Sequence, residues 1–244
     1  MKFQNKFSAF AFCLFVFLSS PDYILSAQPL AGTTGLLNTP SAEMQSDGIF
    51  LSGANYLPDI LTRNDVFNYN TLNYYVSVTF LPFIEASYRM ILLRDADKDI
   101  QNQDRSVALK ARIFKEKKFL PSLAIGGNDI YTTVTGGGQY FWTLYIAASK
   151  HFKLGKNLLI ASAGYAPPYF QNKDLNGVFG GISFSPSFLP EVNIIAEYDS
   201  RAYNAGGSIL LFKHLFLFGM AYDLKQFAGG IAIRLNLKND RKSN

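Results

Sequence analysis

Between Ile49 and Leu237 apolar and polar side chains alternate in one short segment after another, and no apolar run there is long enough to make a membrane-crossing helix. Period-two alternation is the mark of β-strands, whose successive side chains point to opposite faces. The stretch from Ser106 to Asp129 shows the plan: Val107, Leu109, Ala111 and Ile113 alternate with Ser106, Lys110 and Arg112. The chain then turns through 115–121 and returns as a second strand. Phe-Leu-Pro recurs at 80–82, 119–121 and 188–190, each time between alternating segments. Proline has no N–H for a sheet ladder, so it opens a strand at no cost in hydrogen bonds.

The pattern predicts about twelve strands: Ile49–Tyr56, Asn70–Phe80, Phe83–Ile91, Arg105–Phe114, Pro121–Asn128, Gln139–Phe152, Asn157–Tyr165, Asn176–Ser185, Glu191–Asp199, Tyr203–Leu211, Leu215–Tyr222 and Phe227–Leu237. Alternation is clearest in five of them. Leu72, Tyr74, Val76, Val78 and Phe80 oppose Thr71, Asn73, Tyr75, Ser77 and Thr79, while Ile84, Ala86, Tyr88 and Met90 oppose Glu85, Ser87 and Arg89. Val192, Ile194, Ala196 and Tyr198 oppose Glu191, Asn193 and Glu197; Phe216, Phe218, Met220 and Tyr222 form one face of the eleventh strand. In the last, Ile231, Ile233, Leu235 and Leu237 oppose Arg234 and Asn236.

A soluble sandwich alternates in the same way, so the connections decide. Long polar links (Leu57–Tyr69, Leu92–Asp104, Asp129–Gly138, Ala166–Leu175) take turns with short ones (Leu81-Pro82, Lys115–Leu120, Lys153–Lys156, Pro186–Pro190, Phe212–His214). Long on one side and short on the other is the habit of outer-membrane barrels. Aromatic residues sort along the same axis. Phe80, Phe83, Phe114, Phe119, Phe152, Phe188, Phe212 and Phe216 lie by the short turns, and Tyr56, Tyr69, Tyr140, Tyr165, Tyr169, Tyr203 and Tyr222 lie by the long links. Two such belts suit the two interfaces of a membrane.

In a membrane barrel the apolar set faces lipid and the polar set faces the lumen. Glu85, Arg89, Lys110, Arg112, Glu191, Glu197 and Arg234 are therefore the lumen-facing candidates. A charge held in hydrocarbon costs about 2–4 kcal/mol at the midplane, which excludes the opposite register for so many charges. Their mixed signs point to ion pairing inside the bore. Charged residues make up 17% of the chain, below the roughly 25% of soluble domains.

Lys2 and Lys6 precede an apolar run from Phe7 to Leu18, followed by Ser19-Ser20-Pro21 and a small-residue cut site after Ala27. That is the layout of a secretory signal peptide. The expected division is a signal peptide over 1–27, a periplasmic lead-in over 28–48, the barrel over 49–237 and a polar tail over 238–244. The one cysteine, Cys13, falls within the signal, so the exported chain has neither disulfides nor thiol chemistry. Beyond residue 27 there are 21 basic and 17 acidic residues, and no basic block is longer than the pair Lys117-Lys118. Nucleic acid is excluded as a partner on that pattern. In the lead-in, Thr39 before Pro40 suits a helix N-cap and Asp47-Gly48 a tight turn.

No motif supplies catalysis, a metal or a cofactor. His151 and His214 both fall at the short-turn end, whereas barrel lipases keep their serine–histidine pair near the outer leaflet. Asp95, Asp97 and Asp99 have the opening rhythm of a calcium loop, but its glycine position holds Ile100 and its glutamate position Ser106. Gly136-Gly137-Gly138 leads into a strand, not into the helix N-terminus a phosphate cradle needs.

Five groups of residues, in order, carry a family resemblance: Gly35–Ala42 (Gly-Leu-Leu-Asn-Thr-Pro-Ser-Ala) with Asp47-Gly48; Lys110-Ala111-Arg112; Pro121–Asp129; Ser149-Lys150; and Ala196-Glu197-Tyr198-Asp199. With these the chain resembles the YjbH-like family from about Gly32 to Asn236. It departs from the family after Asp129, where Tyr131–Gly138 replaces a Gly-Thr-Gly-Phe sequence, and it is much shorter than the long members. The resemblance implies an all-β, transmembrane antiparallel barrel in the bacterial outer membrane, without enzymatic activity, acting as an accessory in exopolysaccharide or capsule production and export. Its partners would be outer-membrane lipid, polysaccharide, and periplasmic or outer-membrane export proteins. The residues alone leave open a narrow pore for small polar solutes or an outer-membrane lipid-modifying enzyme.

Overall fold

The computed structural model describes residues 30, 32–62, 69–94, 100–132, 141–168 and 174–238. The chain forms twelve antiparallel strands: β1 (Ile49–Leu57), β2 (Thr71–Phe80), β3 (Ile84–Arg94), β4 (Ile100–Phe114), β5 (Ser122–Thr132), β6 (Thr143–Leu154), β7 (Asn157–Ala166), β8 (Gly177–Ser185), β9 (Val192–Tyr198), β10 (Tyr203–Leu211), β11 (Leu215–Tyr222) and β12 (Gln226–Asn236). Every strand pairs with its neighbours in sequence, and β1 pairs with β12 from Ile49↔Asn236 to Tyr56↔Gly229, so the sheet closes into a barrel. Closure removes the unpaired edges that an open sheet would expose. The only helix among the described residues is one turn, α1 (Asp59–Thr62), and no helix there is long and apolar enough to cross a membrane.

Side-chain direction follows the pleat, with the sense a membrane demands. Along β2, Thr71, Asn73, Tyr75, Ser77 and Thr79 are buried while Leu72, Val76 and Phe80 are exposed. The same inversion places Leu109, Ile113, Ile125, Ile146, Ile182, Ile194, Ile231 and Ile233 on the outer surface. A water-soluble fold would bury these aliphatics; an apolar outside around a polar inside is stable where hydrocarbon is the solvent.

The turns sort by end. β2–β3, β4–β5, β6–β7, β8–β9 and β10–β11 are joined by short turns at one mouth. Each Phe-Leu-Pro falls just before a strand, with β3, β5 and β9 beginning one or two residues beyond Pro82, Pro121 and Pro190. In the three-residue turn of β10–β11, Phe212 and Lys213 both take positive φ, 52° and 65°, and the His214 amide donates to the Leu211 carbonyl at 3.1 Å. Lys150 organises the longer β4–β5 turn. Its Nζ donates to the carbonyls of Lys117 and Lys118 at 2.5 and 3.1 Å and forms an ion pair with Glu116 at 2.9 Å. At the other mouth, β5 carries an irregularity between Gly127 and Tyr131, with Asp129 at φ 52° and its Oδ2 accepting from the Phe141 amide at 3.0 Å.

Two expectations need correction. The eleventh strand does not turn its aromatic face to lipid: Phe216, Phe218, Met220 and Tyr222 are buried inside, and Leu215 and Leu217 take the outer surface. Because β11 is apolar on both faces, alternation could not decide which face points in; what decides is that an apolar partner occupies the bore. Consequently Phe216 and Tyr222 are absent from the aromatic belts, whereas Phe80, Phe114, Phe119, Phe188, Phe212, Tyr165 and Tyr203 are well exposed. Thr39-Pro40 does not start a helix either. Gly35 and Pro40 form an isolated antiparallel bridge, and the Leu36 amide donates to the Thr39 carbonyl at 2.9 Å. The expected acidic loop at 95–99, the glycine run at 136–138 and the segment 1–27 lie outside the described residues.

Ile182 lies near the middle of β8 on the lipid face, flanked by Ala161 and Ala196 in the neighbouring strands. Ile182→Arg is expected to destabilise the folded barrel by about 2–4 kcal/mol. Denaturant titration of refolding into phospholipid vesicles measures it.

Candidate functional site

The interior is occupied by the chain's own segment ahead of β1. Leu30 lies toward the long-link mouth, where its carbonyl accepts from Asn73 Nδ2 at 3.0 Å, and Asn73 in turn is fixed by Asn55 Nδ2 at 2.8 Å. From there the segment runs down the bore to Glu43 and turns through Asp47-Gly48 into β1 at the short-turn mouth. Thr33, Thr34, Leu37, Thr39, Ser41 and Ala42 have no exposed surface at all. Gly32 passes so close to the wall, at φ 87°, that a Cβ there would come within 2.2 Å of Ser87 Oγ; only glycine fits both the backbone and the space.

Wall charges meet this segment by polarity. Glu85 Oε1 accepts from the Thr34 amide and hydroxyl, both at 2.8 Å. Glu197 is more heavily engaged. It accepts from the amides of Leu37, Asn38 and Thr39 at 3.0, 2.8 and 3.1 Å, from the Thr39 hydroxyl at 2.9 Å and from Asn204 Nδ2 at 3.0 Å. Successive amides of a tight turn converge on one carboxylate in the manner of an anion nest. Lys110 serves the carbonyls in the same way. Its Nζ donates to those of Thr34 and Glu43 at 2.5 and 2.7 Å and forms an ion pair with Glu85 Oε2 at 3.0 Å. Asp199 Oδ2 accepts from Asn38 Nδ2 at 2.8 Å. Its other oxygen holds the amides of Arg201 and Ala202 at 3.2 and 2.8 Å, which closes the β9–β10 turn. Ser149 Oγ accepts from the Ala42 amide at 3.0 Å and bonds Ser162.

Apolar contacts hold the other flank. Leu30, Leu36 and Leu37 pack in one cluster with Ile49, Leu51, Tyr75, Ile195, Leu210, Phe216, Phe218 and Met220. β11 is thus apolar inside because it faces leucines, while β3, β4 and β9 carry charge inside because they face backbone.

The seven candidates divide into two groups. Glu85, Lys110 and Glu197 lie deep in the bore around the segment, and Arg89 is buried with its guanidinium 4.7 Å from the Phe141 ring centre and its Nε 3.3 Å from Ser106 Oγ. Arg112, Glu191 and Arg234 are only half-buried, toward the short-turn mouth. Ion pairing inside the bore is real for Glu85 and Lys110, but Glu197 answers to backbone amides and not to a cation. Sequence reasoning misses Asn38, Asp199, Asn73 and Ser149. Asn73 was legible as an inner-face position of its strand, but a search led by charge passes over uncharged polar residues.

At the short-turn mouth His151 stands between two carboxylates. Its Nδ1 bonds Glu116, and its Nε2 is 3.5 Å from Glu43. Burial pulls the Glu116 carboxyl up, but hydrogen bonds from Lys150 and His151 outweigh it and hold the group below the ordinary carboxylate range. His214 is exposed in its turn, with Nδ1 3.1 Å from the Arg234 carbonyl. Neither histidine has a serine hydroxyl among its described hydrogen-bond partners, and the described residues contain no cluster of three potential metal ligands.

Removing one member of a buried charge set strands the rest, at a cost of about 3–5 kcal/mol. Lys110→Met is expected to lower barrel stability by that amount, and Glu197→Ala, which leaves the amides of Leu37, Asn38 and Thr39 without their acceptor, by about 1–3 kcal/mol for each amide left unmet. Lys110→Met combined with Glu85→Gln should cost less than the two single changes summed, because neither leaves a lone buried charge. The midpoint of the heat-induced mobility shift on gels, followed by vesicle denaturation, reads all three.

Against known proteins, the family described as Exopolysaccharide biosynthesis protein YbjH matches residues 28–176. A relative from Escherichia coli (strain K12), described as "Uncharacterized lipoprotein YjbH", is 32% identical over a region covering 75% of this chain. The chain spans 29% of that relative's length. Among solved structures, the KdgM porin is 9% identical with a TM-score of 0.47, over 76% of this chain and 97% of that one. The outer-membrane phospholipase dimer of Salmonella typhi is 13% identical with a TM-score of 0.38, over 78% of this chain and 91% of that one. The family match takes in the whole lumenal segment together with Glu85 and Lys110, and by that match and the identity to the Escherichia coli protein the chain belongs to the YjbH family.

Proposed function

We propose that this chain is a non-enzymatic barrel of the bacterial outer membrane, exported by a signal over residues 1–27, that serves exopolysaccharide or capsule production and export as an accessory. Family membership carries the reading: the family's description names exopolysaccharide biosynthesis. The geometry supports an accessory role over a transport one, because the bore holds the chain's own segment from Leu30 to Glu43, clamped by Glu85, Glu197 and Lys110. A solute would have to displace it. Such a barrel meets its partners at the two mouths, since lipid covers its girth; the partners in this reading are polysaccharide, periplasmic or outer-membrane export proteins, and lipid.

Deleting the gene is expected to reduce or alter surface polysaccharide, measured as uronic acid and total sugar in cell-surface extracts; unchanged amount and composition would remove the accessory role. In planar bilayers the purified protein is expected to be silent, and a variant lacking residues 33–42 to show conductance steps. Steady conductance from the intact protein would instead favour a narrow pore for small polar solutes.

A further inference from the structure

We infer that the cleft at the short-turn mouth binds the carboxylate of an acidic sugar unit, a site that rests on the polysaccharide reading above. The cleft has a volume of about 210 Å³. Its walls are the lumenal segment where it leaves the bore (Glu43), the end of β4 (Arg112), the turn that follows (Lys115 and Glu116), β6 (His151) and β12 (Arg234). Drug-sized pockets run to about 300–1,000 Å³, so this one takes a single sugar ring, with the rest of a chain lying across the mouth.

The sign of the ligand follows from which charges are already committed. Glu116 is paired with Lys150 and bonded to His151, and Glu43 faces His151. Glu116 is thereby answered from within the protein, while Glu43 shares the same imidazole at a longer distance. Arg112 spends one nitrogen on the Pro82 carbonyl at 2.6 Å, which leaves further donors on its fork, and Lys115 is exposed. Arg234, which has contacts of its own, adds a third cation to the lining against the carboxylates of Glu43 and Glu116. No phenylalanine, tyrosine or tryptophan is among the described residues that line it, so it lacks the apolar ring on which a neutral sugar would stack, and charge is the available handle.

A second observation is independent of the cleft. Apart from Glu116, the turns joining β4–β5, β6–β7 and β10–β11 carry only positive charge. Lys117, Lys118, Lys153, Lys156 and Lys213 all lie in or beside them, and all five are exposed. Against these stand Glu191, beside the β8–β9 turn, and Asp47, which is paired with Lys238, so the rim carries an excess of cations, a field that gathers an acidic chain. An arginine fork is suited to a carboxylate by its paired, parallel donors.

The test titrates the full chain in detergent micelles with three probes: an alginate trisaccharide, maltotriose and inorganic phosphate. Alginate is expected to bind, more weakly as salt rises, and maltotriose is not. Lys115→Gln and Arg112→Gln are each expected to weaken alginate binding about tenfold, with the heat-induced gel shift unchanged in Lys115→Gln. Equal binding of maltotriose, equal binding of phosphate, or full affinity in both variants would overturn the assignment. Loss of polysaccharide on gene deletion, together with no alginate binding in vitro, would remove this site and leave the accessory role standing. Alginate binding lost in the variants, with polysaccharide unaffected by deletion, would uphold the site and remove the role.

Discussion

A backbone threaded through a barrel must satisfy its own amides and carbonyls where bulk water does not reach, and the rest of this structure answers to that need. An unmet buried amide or carbonyl costs about 1–3 kcal/mol. The wall meets the demand by matching sign to polarity. Carboxylates of Glu85 and Glu197 face N–H groups, and the Lys110 ammonium faces carbonyls. Each bond is charge-assisted, which makes it stronger than a neutral one. The charges inside the bore are thus neither a selectivity ring nor simple filler; they are the complement of a particular stretch of main chain.

The same requirement explains why the interior has two characters. The tight loop bridged at Gly35 and Pro40 offers amides on one flank and Leu36 and Leu37 on the other. β3, β4 and β9 supply charge to the first flank, and β1, β10 and β11 supply aliphatic and aromatic surface to the second. Twelve strands enclose more room than side chains alone fill, in contrast to the eight-stranded case. The threaded segment takes up that difference, so the molecule has a packed core inside and lipid outside.

Much of this fold can be read from alternation because lipid makes the signal unusually clean. Every outward position in the bilayer must be apolar, and Leu72, Val76, Ile182, Ile194 and Ile231 obey. The number of strands and their short turns follow, down to Pro82, Pro121 and Pro190 at strand starts. Alternation fails where a strand is apolar on both faces, as in β11, and it cannot assign a face there without knowing what fills the bore. It also names a face and never a partner. Glu85, Lys110 and Glu197 are legible as interior residues, but not as ligands of residues 34–43. The contact between Glu197 and Asn38 joins positions 159 apart in sequence, beyond the reach of any local pattern. The hint lies in motif order: Gly35–Ala42 and Ala196–Asp199, separate signatures along the chain, are two sides of one interface. Thr39 misleads for the same reason, since its hydroxyl bonds Glu197 and has no helix to cap.

At the short-turn mouth the threaded segment, the wall and the turns become one network. Glu43 ends the threaded stretch with its carbonyl on Lys110 and its carboxylate facing His151. His151 also holds Glu116, and Lys150 ties Glu116 to the carbonyls of the β4–β5 turn. The seat of the segment and the shape of the turn are therefore linked through one imidazole and one ammonium. Arg112, Lys115 and Arg234 line the same cleft as Glu43, Glu116 and His151. The residues that seat the threaded segment are therefore also part of the wall of the mouth, so the fit of the segment and the shape of the cleft depend on the same few side chains.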